Sequence, residues 1–194
     1  MRRSIDIGPP GAGKTTLAAS WLDTRSVRGI WYQVDPGDAE LATFFHYLGQ
    51  AALCFTRAGH RPLPALTPEY LGDVPGFARR FFRELFKRMP PGTTLVLDNY
   101  QEVAPEEQFH ALIADAVAEV PQGLTLLAVS RRDPPNVYAR LIANENVAFL
   151  DWEDLRLTLG EAQAIAAMRS ARLEAARVAE LHAQCDGWSR SYLL

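Results

Sequence analysis

Near the start of the chain, Gly8-Pro9-Pro10-Gly11-Ala12-Gly13-Lys14-Thr15 has the spacing G-x-x-x-x-G-K-[ST], a pattern whose chemistry is phosphate binding. Its glycines let the backbone wrap inward, so that consecutive N–H groups point into one concavity. A helix starting near Lys14 would add unpaired N–H groups and the positive end of its dipole, and both favour an anion. Lys14 is then placed to reach the β- and γ-phosphates of a nucleotide, and the Thr15 hydroxyl to hold Mg²⁺. Thr16 completes the nucleotide-facing set as the helix leaves the loop.

Two further groups are candidates for the same site. Leu95-Val96-Leu97-Asp98 is an apolar run ending in a carboxylate, suited to hold the Mg²⁺ shell from the side opposite Thr15. The next residue is Asn99, where a second acid would polarise an attacking water. An amide cannot take that proton, so the duty falls weakly to Asp98 or to Glu102 reaching in. Slow hydrolysis is the expectation. Ser130 and Arg131 end another apolar run. A guanidinium there would lie near a γ-phosphate and pair with its oxygens. Lys14, Asp98 and Arg131 are therefore the residues expected to act in catalysis. Arg132 and Arg140 are weaker candidates.

These residues need elements that bring them together. Ile5-Asp6-Ile7 reads as a strand entering the loop, and Thr16 to Leu22 as the helix leaving it, which is the context the motif requires. Gly29 to Val34 reads as a buried strand rich in aromatic and β-branched residues. Asp38 is suited to cap the helix after it, and Leu41, Phe44, Phe45, Leu48, Ala52 and Phe55 recur on that helix at helical spacing. Residues 57–75 read as a loop with a helical turn near Glu69-Tyr70-Leu71. Phe77, Phe81, Leu85, Phe86 and Met89 mark another helix, whose basic outer face reads as solvated. Thr93 to Asp98 and Leu124 to Ser130 are strands, with a helix from Pro105 between them. A short helix through Tyr138 to Leu141 leads to a last strand, Val147 to Leu150. Strands alternate with helices and are continuous apolar runs, which implies a parallel sheet covered on both faces. Ligands in such folds sit at the carboxyl ends of the strands, where the loop, Asp98 and Ser130-Arg131 all fall.

The expected fold is thus α/β, a P-loop NTPase with three α/β/α layers and a mainly parallel five-stranded sheet. Residues 1–152 form its core. From 153 to 194 the pattern is helical, read as the start of a lid or second subdomain. Because the motif begins at residue 8, we expect the chain to be a piece of something longer. Composition narrows the rest. With 20 basic and 23 acidic residues the net charge is −3, which gives no global pull toward nucleic acid or membrane. No apolar run approaches the roughly 20 residues that span a bilayer. Cys54 and Cys185 have no metal-like spacing and are expected to be reduced. The histidines His46, His60, His110 and His182 form no metal pattern either. Trp31, Trp152 and Trp188 read as core or hinge aromatics. A cytoplasmic location is expected.

The order of these motifs resembles that of the signal-transducing (STAND) ATPases, and within them the maltose-activator-like branch of large LuxR-type bacterial transcription regulators. The resemblance is carried by Gly8 to Thr16 with the helix after it, by Trp31-Tyr32-Gln33-Val34-Asp35 with Asp38, and by Leu95 to Tyr100. It continues through Ser130-Arg131-x-x-Pro134-Pro135, Asp154-Leu155-Arg156-Leu157-Thr158 and Cys185-Asp186-Gly187-Trp188. It departs at Asn99, where a second Asp is usual, at Gln101, often His, and at Ser189, which stands in place of a nucleotide-facing Pro. The resemblance implies a switch: ATP with an inducer favours an open, self-associating form of the full-length protein, and ADP a closed monomer. ATP or ADP with Mg²⁺ would be its ligands. Specific DNA binding would lie in parts this sequence lacks. Two other readings stay open on the residues alone, a small P-loop kinase and a module that holds nucleotide without turnover.

Overall fold

Five short segments form strands. They are β1 Arg3–Ile7, β2 Gly29–Gln33, β3 Thr94–Asp98, β4 Thr125–Ser130 and β5 Ala148–Leu150. The structure, a computed structural model, describes residues 3–7, 13–55, 61–105, 107–169 and 174–185. Gly8, Pro9, Pro10, Gly11 and Ala12 of the loop lie outside the described residues, as do His60, Leu173 and the stretch holding Trp188 and Ser189. All the strand pairings are parallel, and the sheet order is β2-β3-β4-β1-β5.

Between the strands run α1 Lys14–Thr24, α2 Leu41–Ala51, α3 Val74–Arg88, α4 Gln108–Glu119 and α5 Ala139–Ala143. The central strands β3 and β4 are buried almost throughout, as a strand flanked on both sides and covered on both faces must be. The edge strand β2 instead alternates, with Ile30 and Tyr32 buried and Gly29, Trp31 and Gln33 exposed. The expectation of a buried strand is therefore corrected for its outer face: at the sheet edge Trp31, read as a core or hinge aromatic, keeps 37% of its surface exposed. Gly29 is the residue that lets β2 lie so close to β3, since a Cβ there would come within 2.4 Å of the Thr94 carbonyl oxygen.

One face of the sheet carries Ile30, Tyr32, Leu95, Leu97, Leu126 and Ala128, packed under α2, α3 and α4. Its filling is aromatic. Phe45 contacts Phe44, Phe77, Phe81 and Phe82, and Phe109 meets Phe44 edge-on at 4.9 Å. The other face carries Val96, Leu127 and Val129 beneath Ala18 and Leu22 of α1. The basic face of α3 is partly engaged with α4 through Arg83 and Glu119 (2.6 Å) and Arg79 and Asp115 (3.8 Å).

Two local expectations change. Asp38 does not cap α2; Glu40 does. Asp38 is buried and accepts hydrogen bonds from the Tyr32 hydroxyl (2.6 Å) and the Asp35 N–H (3.0 Å), pinning the turn after β2. Burial holds its carboxyl above the usual range, against the pull of those two hydrogen bonds, and burial with Asp38 pushes the Tyr32 phenol well up. The helix expected from Pro105 starts at Gln108 instead, and a 3₁₀ turn over Tyr100–Glu102 comes before it. Beyond β5 lie α6 Trp152–Leu155, α7 Leu159–Arg169 and α8 Ala175–Cys185. Ala162 and Ala166 of α7 pack on Val178 of α8 as a small separate cluster. His182 ties α8 to the Leu157 carbonyl at 2.7 Å.

Candidate functional site

The strands end level along one edge. Ile7 of β1 lies beside Ser130 of β4, and Gln33 of β2 beside Asp98 of β3. The segments leaving these strands therefore start from one carboxyl edge. α1 opens there on Gly13, whose φ of 81° is left-handed and which gives the helix no side-chain cap. Glycine takes that conformation without strain, and the N-terminus of a helix favours an anion. Lys14 comes next, almost fully buried at 6% exposure.

Thr15 donates its hydroxyl hydrogen to Asp98 Oδ1 at 3.1 Å. This bond spans 83 residues of sequence and reaches across β4, so the motif helix and the strand-ending acid form one constellation. The same Asp98 oxygen accepts the Asn99 N–H at 2.9 Å. Asn99 is itself left-handed, with φ 56°, a conformation that Asn and Asp reach more readily than other side-chain-bearing residues. A hydroxyl beside a buried carboxylate is a set of hard oxygen donors, which suits Mg²⁺.

A cavity of about 210 Å³ opens over this pair. Among the described residues it is lined by Gly13 to Thr16 of α1 and its cap, by Asp98, Asn99 and Gln101 after β3, and by Val129, Ser130 and Arg131 at the end of β4. Its volume is below that of a typical whole-ligand pocket. Glu102 does not reach in. It is exposed and accepts the Gln101 amide at 2.9 Å. The Ser130 hydroxyl is spent on its own loop, donating to the Arg132 carbonyl (2.8 Å) and accepting the Arg132 N–H (3.1 Å). The Arg131 side chain is exposed at the cavity rim, and its backbone N–H donates to Gln101 Oε1 at 2.9 Å. Arg132 and Arg140 are exposed and do not line the cavity.

Gln101 is the residue that reading by type missed. The resemblance marks it only as a departure, with no role; it reaches the cavity through the 3₁₀ turn after Asp98. That turn is anchored below by Tyr100. Its hydroxyl forms a short hydrogen bond with that of Tyr138, and its ring packs on Phe109 and His110. Burial, then the facing Tyr138, drives the Tyr100 phenol far above its ordinary range. Among the described residues no group of three or more His, Cys, Asp or Glu side chains converges, and no helix is long and apolar enough to cross a membrane.

The parallel sheet, the helix opening at its carboxyl edge and the Thr15–Asp98 pair define the class: this is the fold of the P-loop ATPases. Solved structures agree on that fold alone. The Walker-type ATPase of Pyrococcus abyssi has a TM-score of 0.56 at 13% identity, covering 96% of this chain and 59% of its own. A RuvB variant of Thermotoga maritima has a TM-score of 0.52 at 15% identity, covering 100% and 52%. No family model matches the chain. Among curated proteins, the HTH-type transcriptional regulator MalT of Vibrio cholerae is 32% identical over 154 residues, 73% of this chain. MalT of Yersinia enterocolitica is 29% identical over 189 residues, 96% of this chain. The chain belongs with these MalT-type transcriptional regulators, and it spans only 16% and 20% of their lengths.

Proposed function

We propose that this chain is the nucleotide-switch domain of a MalT-type regulator, binding ATP with Mg²⁺ and hydrolysing it slowly. The observation that carries the reading is the Thr15–Asp98 hydrogen bond at 3.1 Å beside the buried Lys14. It joins the two groups a nucleotide-bound Mg²⁺ needs before any ligand arrives. In this reading Gly8 to Ala12 wrap the phosphates with Gly13 to Thr16, and Lys14 offsets their charge. Thr15 and Asp98 hold the metal, whose chemistry is to neutralise charge on the phosphate oxygens. Arg131 meets the terminal phosphate from the rim, while Ser130 acts by shaping the loop that presents it.

Slow turnover is the consequence of Asn99 and of the outward set of Glu102. Asn99→Asp is expected to raise ATPase activity, measured as phosphate release. Unchanged or lower turnover in a folded variant counts against a missing acid as the cause. Residues 153–194 are proposed as the start of a helical lid, on the strength of the separate α7–α8 cluster. Self-association in the ATP form is proposed for the full-length regulator, specific DNA contact is assigned to its other parts, and its location is taken as cytoplasmic.

The test is thermal melting with and without Mg-ATP, with Lys14→Ala as control. Ligand at 100 times its Kd stabilises by about 2.7 kcal/mol, a rise of roughly 5–10 °C for a chain of this size. A shift that Lys14→Ala abolishes supports the reading. No shift at millimolar Mg-ATP sinks it for this chain.

A further inference from the structure

The switch reading gives Gln101 no work, yet its side chain walls the cavity beside Thr15, Asp98 and Arg131. Its amide is held at both ends. Oε1 accepts the Arg131 N–H at 2.9 Å, and Nε2 donates to the Glu102 carboxylate at 2.9 Å. An amide oxygen has a second lone pair and an amide nitrogen a second hydrogen, so the group retains one acceptor and one donor position.

The turn that carries Gln101 is fixed from beneath. Tyr100 and Tyr138 are 2% and 1% exposed and share a hydroxyl–hydroxyl hydrogen bond. Breaking it would leave a buried hydroxyl without its partner, a costly state. Tyr100 sits at the start of the turn after β3, and Tyr138 ends the 3₁₀ turn leading into α5. The loop after β3 and the segment after β4 are thus joined twice, by a buried bond below and by the Gln101–Arg131 bond at the rim. The upper bond lies where the Arg131 side chain leaves the backbone.

We propose that Gln101 is a positioning residue through which the protein distinguishes a nucleoside triphosphate from a diphosphate. It fixes the Arg131 peptide, and so the reach of the guanidinium toward a terminal phosphate. The proposal rests on the nucleotide reading above. On that reading the first turn of α1 holds the inner phosphates. Loss of Gln101 therefore leaves diphosphate contacts intact and weakens those of the triphosphate.

The experiment is equilibrium binding of fluorescent ADP and of a fluorescent, non-hydrolysable ATP analogue to the full chain. The proteins are wild type, Gln101→Met, Gln101→Glu and Lys14→Ala. Gln101→Met keeps the length and loses both hydrogen bonds. It should lower the triphosphate-to-diphosphate affinity ratio by about tenfold or more, the scale of a hydrogen bond to a charged group, with the ADP Kd and the ligand-free Tm nearly unchanged. Gln101→Glu keeps an acceptor for the Arg131 N–H, so it should retain a higher ratio than Gln101→Met, its added charge weakening both nucleotides. An unchanged ratio in a folded Gln101→Met variant overturns the proposal. So does equal weakening of both nucleotides, which marks a scaffold role only. If wild type binds neither nucleotide and Lys14→Ala matches it, the nucleotide reading itself has failed, and the proposal falls with it.

Discussion

The two faces of the sheet are built differently. Among the described residues, one face lies under α2, α3 and α4 and is filled with interlocking phenylalanines. The other, among the side chains described, carries Val96, Leu127 and Val129 against Ala18 and Leu22 of α1. Among the described residues, the thick face reaches the candidate site through Ser130 at the end of β4 and through the turn that Tyr100 anchors. The thin face carries the helix whose first residues are Lys14 and Thr15. Stability and chemistry are thereby separated. The aromatic face fixes the strands, and the small contact under α1 sets where the phosphate-binding end of the helix points. Trp31, on the thin side of the edge strand, is exposed while its neighbour Tyr32 is buried on the thick side.

Three substitutions would break or sharpen this contrast. The largest loss is expected for Phe45→Ala on the thick face, about 3–5 kcal/mol for truncating a buried aromatic. Denaturant unfolding checks it, and the fraction still folded should retain its nucleotide affinity. Ala18→Leu on the thin face should cost less, about 1–3 kcal/mol for overpacking. It should nevertheless impair Mg-ATP binding more than Phe45→Ala does, because a wedge under α1 moves Lys14 and Thr15 together. If Phe45→Ala abolishes binding in folded protein while Ala18→Leu spares it, the division of labour between the faces is wrong.

The smallest effect concerns Asp38, which pins the edge strand to the thick side. Its carboxyl is held above its ordinary value of 3.8 by burial. The folded state therefore binds a proton that the unfolded state has already released. The stability this provides is full below the unfolded value and is lost as pH rises through the folded one. Wild type should lose stability relative to Asp38→Asn as pH climbs upward from 3.8. Parallel unfolding curves at several pH values measure the difference, and a constant gap would show that the burial has no such consequence.

Much of this architecture was legible because it rests on periodicity and on punctuation. The alternation of strands and helices, the helix opening at Lys14 and the acid ending β3 come from apolar runs and from Gly and Pro positions. The missed features arise where local hydrogen bonding outweighs pattern. Trp31 has strand propensity, but propensity does not say which strand lies at the edge. Asp38 looks like a cap by residue type, and it took tertiary contact with Tyr32 to bury it. Ser130 is at the expected place, yet its hydroxyl closes a bond two residues along. Gln101 stands out in the sequence only as a departure from the resemblance, and its place at the cavity emerges when the turn folds against β4. Side-chain direction in a 3₁₀ turn has no sequence period to betray it. The roles of Gly8 to Ala12 rest on spacing alone.

The left-handed backbone at Asn99 has a consequence on the scale of lineages. That conformation admits few side-chain-bearing residues easily, and Asn and Asp foremost among them. They have almost the same shape and differ in whether they can take up a proton. On the proposed reading, a single inherited exchange at this position would reset how long a signal persists after its inducer is gone. It would do so without asking the surrounding loop to refold, so the duration of a response can diverge between descendants before its trigger does.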